Sequence, residues 1–228
     1  SFKLEKGLSM FISGCDASGK STILNEIYKI YKDKIDIKTF TIAKPYPNFI
    51  INFAIKKKYS KVRSNKKNYQ NQKYNFLLMI RDLNLSILRY IVSIRINKYK
   101  KNNYLIICDR YVSNYYNQIN GPRISNKNII YIIFRSIELF FYSRIKSLEI
   151  EIRLRTKLDI AILRNIQRKK GEIKNKEEIV ERYHLFEKSI FKSEKIYEYQ
   201  NNKNLPESIN DLIILFNKII LSKTNDYY

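Results

Sequence analysis

Apolar positions along the chain alternate between two spacings, and that alternation predicts the order of elements. Leu8 to Ser13 is a nearly continuous apolar run and predicts a buried strand, Lys20 to Tyr31 carries its apolar residues at helical spacing, and Ile37 to Ala43 predicts a second strand. This is a βαβ opening. A long helical pattern runs from about Gln72 to Lys98, followed by the apolar strand Tyr104 to Cys108, a helix over Asn126 to Ser143 and a strand near Leu148 to Leu154. The remainder repeats the alternation: a basic helix Leu158 to Arg168, a charged turn, a helix near Glu177 to Ser193, a short strand around Ile196 to Tyr199 and a closing helix from Pro206. Strands that alternate with helices imply an α/β fold, with a five-stranded parallel sheet between helical layers. No internal repeat interrupts it.

Composition narrows the class. The 228 residues fit one domain, taken as 1–228. Glycine and proline are scarce, with 5 Gly and 4 Pro, so each marks a place where the backbone needs particular geometry. Gly14 and Gly19 share one loop, Pro45 and Pro47 another, Gly121 and Pro122 a third, and Gly171 sits in a basic turn. The segment from about residue 50 to 73, dense in Lys, Asn and Tyr, has the weakest pattern and reads as a basic surface connection. Two cysteines, Cys15 and Cys108, argue against a disulfide framework or a metal cluster. No stretch approaches the ~20 apolar residues of a membrane span, and the opening residues carry no signal-peptide apolar run. A reducing cytoplasm is the expected compartment. The 44 Lys plus Arg against 21 Asp plus Glu give a formal charge of +23, which points to phosphates or nucleic acid unless compositional bias alone produces it.

The first glycine pair carries the chemistry. Gly14-Cys15-Asp16-Ala17-Ser18-Gly19-Lys20-Ser21 matches G-x-x-x-x-G-K-[ST] between a predicted strand and a predicted helix. Such a loop turns successive amides toward phosphate oxygens, and the helix that follows adds its positive end. Gly14, Asp16, Ala17, Ser18, Gly19, Lys20, Ser21 and Thr22 are therefore expected to hold ATP, with Lys20 on the β and γ phosphates and the Ser21 hydroxyl on Mg2+. The competing reading is a glycine turn that binds nothing. A second group follows Tyr104 to Cys108, where Asp109-Arg110-Tyr111 sets a carboxylate and a guanidinium at the carboxyl edge of the sheet. Asp109 there suits magnesium or an acceptor, and Arg110 offers a fork for a phosphate, although an ordinary strand-end ion pair would look the same.

Taken together these motifs resemble the thymidylate kinase family of P-loop nucleoside monophosphate kinases, over most of the chain. The phosphate loop with its internal Asp16 and the triplet Asp109-Arg110-Tyr111 resemble two family signatures. Phe76 to Asp82 resembles the helix whose arginine holds the acceptor phosphate, and Asp159 to Arg164 resembles the helix that enters the lid. The resemblance implies a P-loop NTPase three-layer sandwich with a short basic lid at about 164–178, a homodimer, and ATP- and Mg2+-dependent transfer to a nucleoside monophosphate, first dTMP to dTDP. It makes Asp16, Arg81, Asp109, Arg110 and Tyr111 the acceptor-side candidates. Catalytic candidates are Lys20, Asp109, Arg110, Arg164 and Arg168, because Ala17 stands where some family members carry a loop arginine, so that charge must come from the lid. An exposed basic helix end remains the plainer account of Arg164 and Arg168.

Some positions depart from the family: Ser147-Leu148-Glu149 replaces its Pro-Asp strand start, and Ala43-Lys44-Pro45-Tyr46-Pro47 matches its proline segment loosely. Three functions stay open: the monophosphate kinase, a kinase of the same fold acting on a nucleoside or phosphorylated sugar, and a nucleotide- or nucleic-acid-binding subunit with little catalysis. His184 reads as a surface residue, and Cys15 as packing with some oxidant sensitivity from the helix end beside it.

Overall fold

Four of the five strands carry inward apolar residues on both faces, which obliges the sheet to be covered on both sides. A computed structural model describes residues 4–43, 45, 76–125, 128–167 and 174–224. The elements are β1 (Leu8–Gly14), α1 (Lys20–Tyr31), β2 (Ile37–Phe40), α2 (Phe76–Lys101), β3 (Leu105–Asp109), α3 (Ile129–Arg144), β4 (Leu148–Arg155), α4 (Leu158–Ile166), α5 (Lys176–Glu187), β5 (Ser193–Gln200) and α6 (Leu205–Thr224). All pair in parallel, in the order β2-β3-β1-β4-β5. One apolar core, around Met10, Ile12, Ile23, Ile27, Leu212 and Phe216, seals the face under α1 and α6. The other, around Phe11, Ile106, Cys108, Tyr142, Phe186 and Phe191, seals the opposite face. This is the expected α/β sandwich.

Register decides where the loops meet. Ile12 lies opposite Asp109, and Gly14 opposite Leu154, so the ends of β1, β3 and β4 share one edge. Helix α2 has 26 residues and spans ~39 Å, whereas the five residues of β3 span ~16 Å, so the helix is more than twice as long as the strand it feeds. The excess lies beyond the carboxyl edge, because the C-terminal end of α2 feeds directly into β3 through the left-handed Asn103.

Several boundaries differ from the sequence expectations. Strand β2 ends at Phe40 rather than Ala43, because Ile42 and Ala43 turn into the interior. Helix α5 stops at Glu187, not at Ser193: Phe191 inserts between Phe11 and Phe186, and β5 then begins at Ser193. Helix α4 ends at Ile166, short of the expected Arg168. The basic connection at 50–73 and the centre of the lid, with Arg168, fall outside the described residues. No described helix is long and apolar enough to cross a membrane.

Candidate active site

The loop after β1 needs close approach more than unusual dihedrals at its first glycine. A Cβ on Gly14 would stand 2.5 Å from Ser18 Oγ and 3.2 Å from Leu154 Cβ. Gly19 (φ 81) and Ala17 (φ 62) supply the left-handed turns, and Gly19 then caps α1 without a side-chain bond, leaving the first-turn amides directed into the loop. The Lys20 ammonium lies inside this cup, donating to Gly14 O at 2.9 Å, Cys15 O at 2.5 Å and Ser18 Oγ at 3.2 Å. Burial first, and then the charge of Arg110, push the Lys20 pKa down to about 8, against the pull of Asp16 and Asp109. Ser21 and Thr22 stand exposed in the first helical turn.

Asp109 ends β3, and its Oδ1 is buried without a hydrogen-bond partner among the described residues. Arg110 is left-handed (φ 68), a conformation held by its amide donating to Ile12 O at 3.2 Å. The turn aims its guanidinium across the edge to Asp16, 3.6 Å away, rather than back to Asp109.

Asp16 is the electrostatic centre. Besides Arg110 it takes Lys174 at 2.5 Å and Arg182 at 3.1 Å, and both of these also reach Glu178. Burial would raise the pKa of Asp16, but the hydrogen bond and charge of Lys174, with the charges of Arg182 and Lys20, hold its carboxyl well below the usual carboxylate range. The backbone of Lys174 is fixed in turn, exchanging hydrogen bonds with the side chain of Asn165 at the end of α4. Sequence reasoning missed Lys174 and Arg182. The signal was there: Lys174, Glu178 and Arg182 recur every four residues, with Glu178 and Arg182 on one face of α5 and Lys174 just before its N-cap Asn175.

The other candidates divide. Arg164 donates to the carbonyls of Asn201 and Lys203 at 3.1 and 2.8 Å, and Asn201 donates to Ser18 O at 2.6 Å. Arg164 thus braces the phosphate loop from outside instead of facing it. Arg81 lies on the projecting half of α2 and clamps the buried Asp82 through two donors at 2.9 and 2.6 Å. Tyr111, expected to touch substrate, is instead a core residue: 1% exposed, its ring 5.3 Å from Phe11 and its hydroxyl bonded to Lys146 O. Cys15 packs in the core as expected, 3% exposed, and burial pushes its thiol pKa up despite the opposing charge of Lys20, against the oxidant sensitivity that a helix end alone would bring. His184 is exposed, as anticipated. Among the described residues no three His, Cys, Asp or Glu side chains gather as a metal cluster.

No protein-family model matches this chain, and no curated protein matches it. Its sheet, loop and helices define the fold of P-loop kinases, shared with solved structures. One is deoxyadenosine kinase from M. mycoides with the products dCMP and a flexible dCDP, 17% identical with a TM-score of 0.50 over 92% of this chain and 100% of that one. The same enzyme with bound dATP is 18% identical with a TM-score of 0.48, over the same shares of the two chains.

Proposed function

We propose that this protein is an ATP-dependent kinase that transfers a phosphoryl group to a nucleotide, with a nucleoside monophosphate, dTMP before others, as acceptor. The carrying observation is the convergence of Lys20, Arg110, Lys174 and Arg182 on Asp16 at the mouth of the phosphate loop. Four cations face three carboxylates, Asp16, Asp109 and Glu178, in partly buried surroundings. That surplus of positive charge suits a γ-phosphoryl group passing between two anions.

In this reading the loop amides and Lys20 hold the donor's phosphates, and an acceptor oxygen attacks the γ phosphorus in line while the bond to the β–γ bridging oxygen breaks. Lys174 and Arg182 leave Asp16 to neutralise the equatorial oxygens, and Arg110 orients the acceptor. Magnesium fits the residues present: the orphaned Asp109 Oδ1 would hold it through water, and Ser21 directly. Among the described residues no carboxylate cluster stands beside them, and the ion would supply charge neutralisation to the donor's phosphates.

A phosphate acceptor is already anionic and needs no base, whereas a nucleoside hydroxyl must lose a proton. Asp16 is saturated with cations, so a nucleoside acceptor would require Asp109 as its base. That second reading is favoured by the likeness to deoxyadenosine kinase. A radiolabelled-ATP assay over a panel of nucleoside monophosphates, deoxynucleosides and sugar phosphates tests both. Turnover of dTMP or another monophosphate supports the first, turnover of unphosphorylated deoxynucleosides alone selects the second, and no turnover with any acceptor overturns both.

A second copy of this chain is the proposed partner. Leu77, Ile80, Asn84, Ile87, Ile91 and Ile94 of α2, and Ile130, Ile133, Ile137 and Phe140 of α3, recur at alternating steps of three and four, the spacing of a helix-packing seam. Most of these side chains are 37–53% exposed, and with their exposed neighbours they leave on the order of 1,000 Å² of apolar surface, enough for a stable dimer.

A further inference from the structure

We infer that Arg89, an arginine of α2 that no phosphate motif contains, is a positioning residue for the acceptor side of the site. The inference rests on the kinase reading above.

Arg89 is 1% exposed, among the largest fully buried side chains, and among the described residues its hydrogen bonds go to carbonyls and a hydroxyl rather than to a carboxylate. A buried cation without a salt bridge is costly, and burial lowers its pKa. What it does instead is join three segments. Its Nη2 donates to Ala43 O at 2.8 Å, just past β2, and its Nη1 to Asn120 O at 3.0 Å and to the Tyr142 hydroxyl of α3. Tyr142 passes the connection on by donating to Gly121 O at 3.0 Å.

The loop so held, Tyr111 to Ile124, begins immediately after Asp109 and Arg110. It contains left-handed Asn117 and Asn120, and a Cβ on Gly121 would meet Tyr115 O at 2.3 Å, so its path has little freedom. Asn120 ties back to Tyr111 O at 3.0 Å, and buried Glu138 receives the amides of Arg123 and Ile124 at 3.0–3.2 Å. Among the described residues of this net, Arg89 is the group that also reaches the end of β2. It therefore sets the distance between the chain just past β2 at Ala43 and the loop 111–124 that follows Asp109 and Arg110. Two donors pointing in different directions from one planar group make that geometry, and a lysine ammonium cannot reproduce it.

The test compares wild type with Arg89→Lys, Arg89→Met and Tyr142→Phe, measuring acceptor KM, ATP affinity by calorimetry, and melting temperature. Displacement of flanking loops by about 1 Å costs on the order of a hundredfold in acceptor kcat/KM. Both Arg89 variants are expected to show that loss mainly in acceptor KM, with ATP affinity unchanged, and Tyr142→Phe a smaller loss of the same kind. Arg89→Lys restoring acceptor KM would overturn the inference by showing that charge alone suffices. Equal losses in ATP and acceptor binding that track the melting temperature would overturn it as well, by reducing Arg89 to general stability. An inactive wild type with every acceptor would overturn the kinase reading itself, a different outcome from an active wild type indifferent to Arg89.

Discussion

Replacing Lys174 by alanine removes the cation closest to Asp16 and, in the proposed mechanism, one of those that receive the transferred group. Its side chain is only 13% exposed and its ammonium is 2.5 Å from Asp16 Oδ2. An anionic oxygen at about 4 Å in surroundings of effective dielectric near 20 gains about 4 kcal/mol from such a charge. Remaining water contact and the neighbouring Arg182 reduce the loss on deletion to roughly 3 kcal/mol, which is about a hundredfold in rate. Backbone hydrogen bonds to Asn165 are untouched by the change, so the start of α5 keeps its place. Single-turnover transfer from radiolabelled ATP should therefore fall about a hundredfold, with ATP affinity changed only a few-fold. Arg182→Ala, at a side chain 46% exposed, should lose less, on the order of tenfold. Lys29→Ala, whose pair with Glu26 lies on the exposed face of α1, is the control expected to change nothing. Unchanged transfer in Lys174→Ala would refute the role given to the cations around Asp16.

Other outcomes follow from the same geometry. Lys20 is protonated in its phosphate-binding form and has a pKa of about 8, so ATP affinity should weaken as pH rises through about 8; Lys192→Arg, at the other lysine pushed down to about 8, should leave that limb in place. Asp16 has a depressed carboxyl, so its stabilisation is complete above the unfolded carboxylate pKa of ~3.9 and is lost as pH falls below it. The gap in melting temperature between wild type and Asp16→Asn should accordingly close on acidification, and a gap that widens would reverse the sign. Ile91→Lys combined with Ile133→Glu should convert a dimer to monomer in sedimentation without loss of helical signal, whereas a wild type that sediments as a monomer would dismiss the dimer.

Local chemistry made much of this protein legible in its sequence. Apolar periodicity reports burial on one face or two, so the order of all five strands and their helices could be read directly, and a strand–glycine loop–helix passage with Lys20 and Ser21 has few other uses. Asp109 and Arg110 were readable because a strand end fixes the sheet edge on which they stand. What the sequence could not state is which side chains separated by tens to more than a hundred residues face one another. Lys174 and Arg182 meet Asp16 only because β4, α4 and α5 fold back over β1, and Arg89 meets Ala43 and Asn120 only because α2 crosses the sheet edge. Packing also withdrew Tyr111 into the core and turned Arg164 away to Asn201, since an exposed ligand and a buried brace of the same residue type have the same local pattern. Periodicity records how much of a side chain is covered; only the closed chain decides by what.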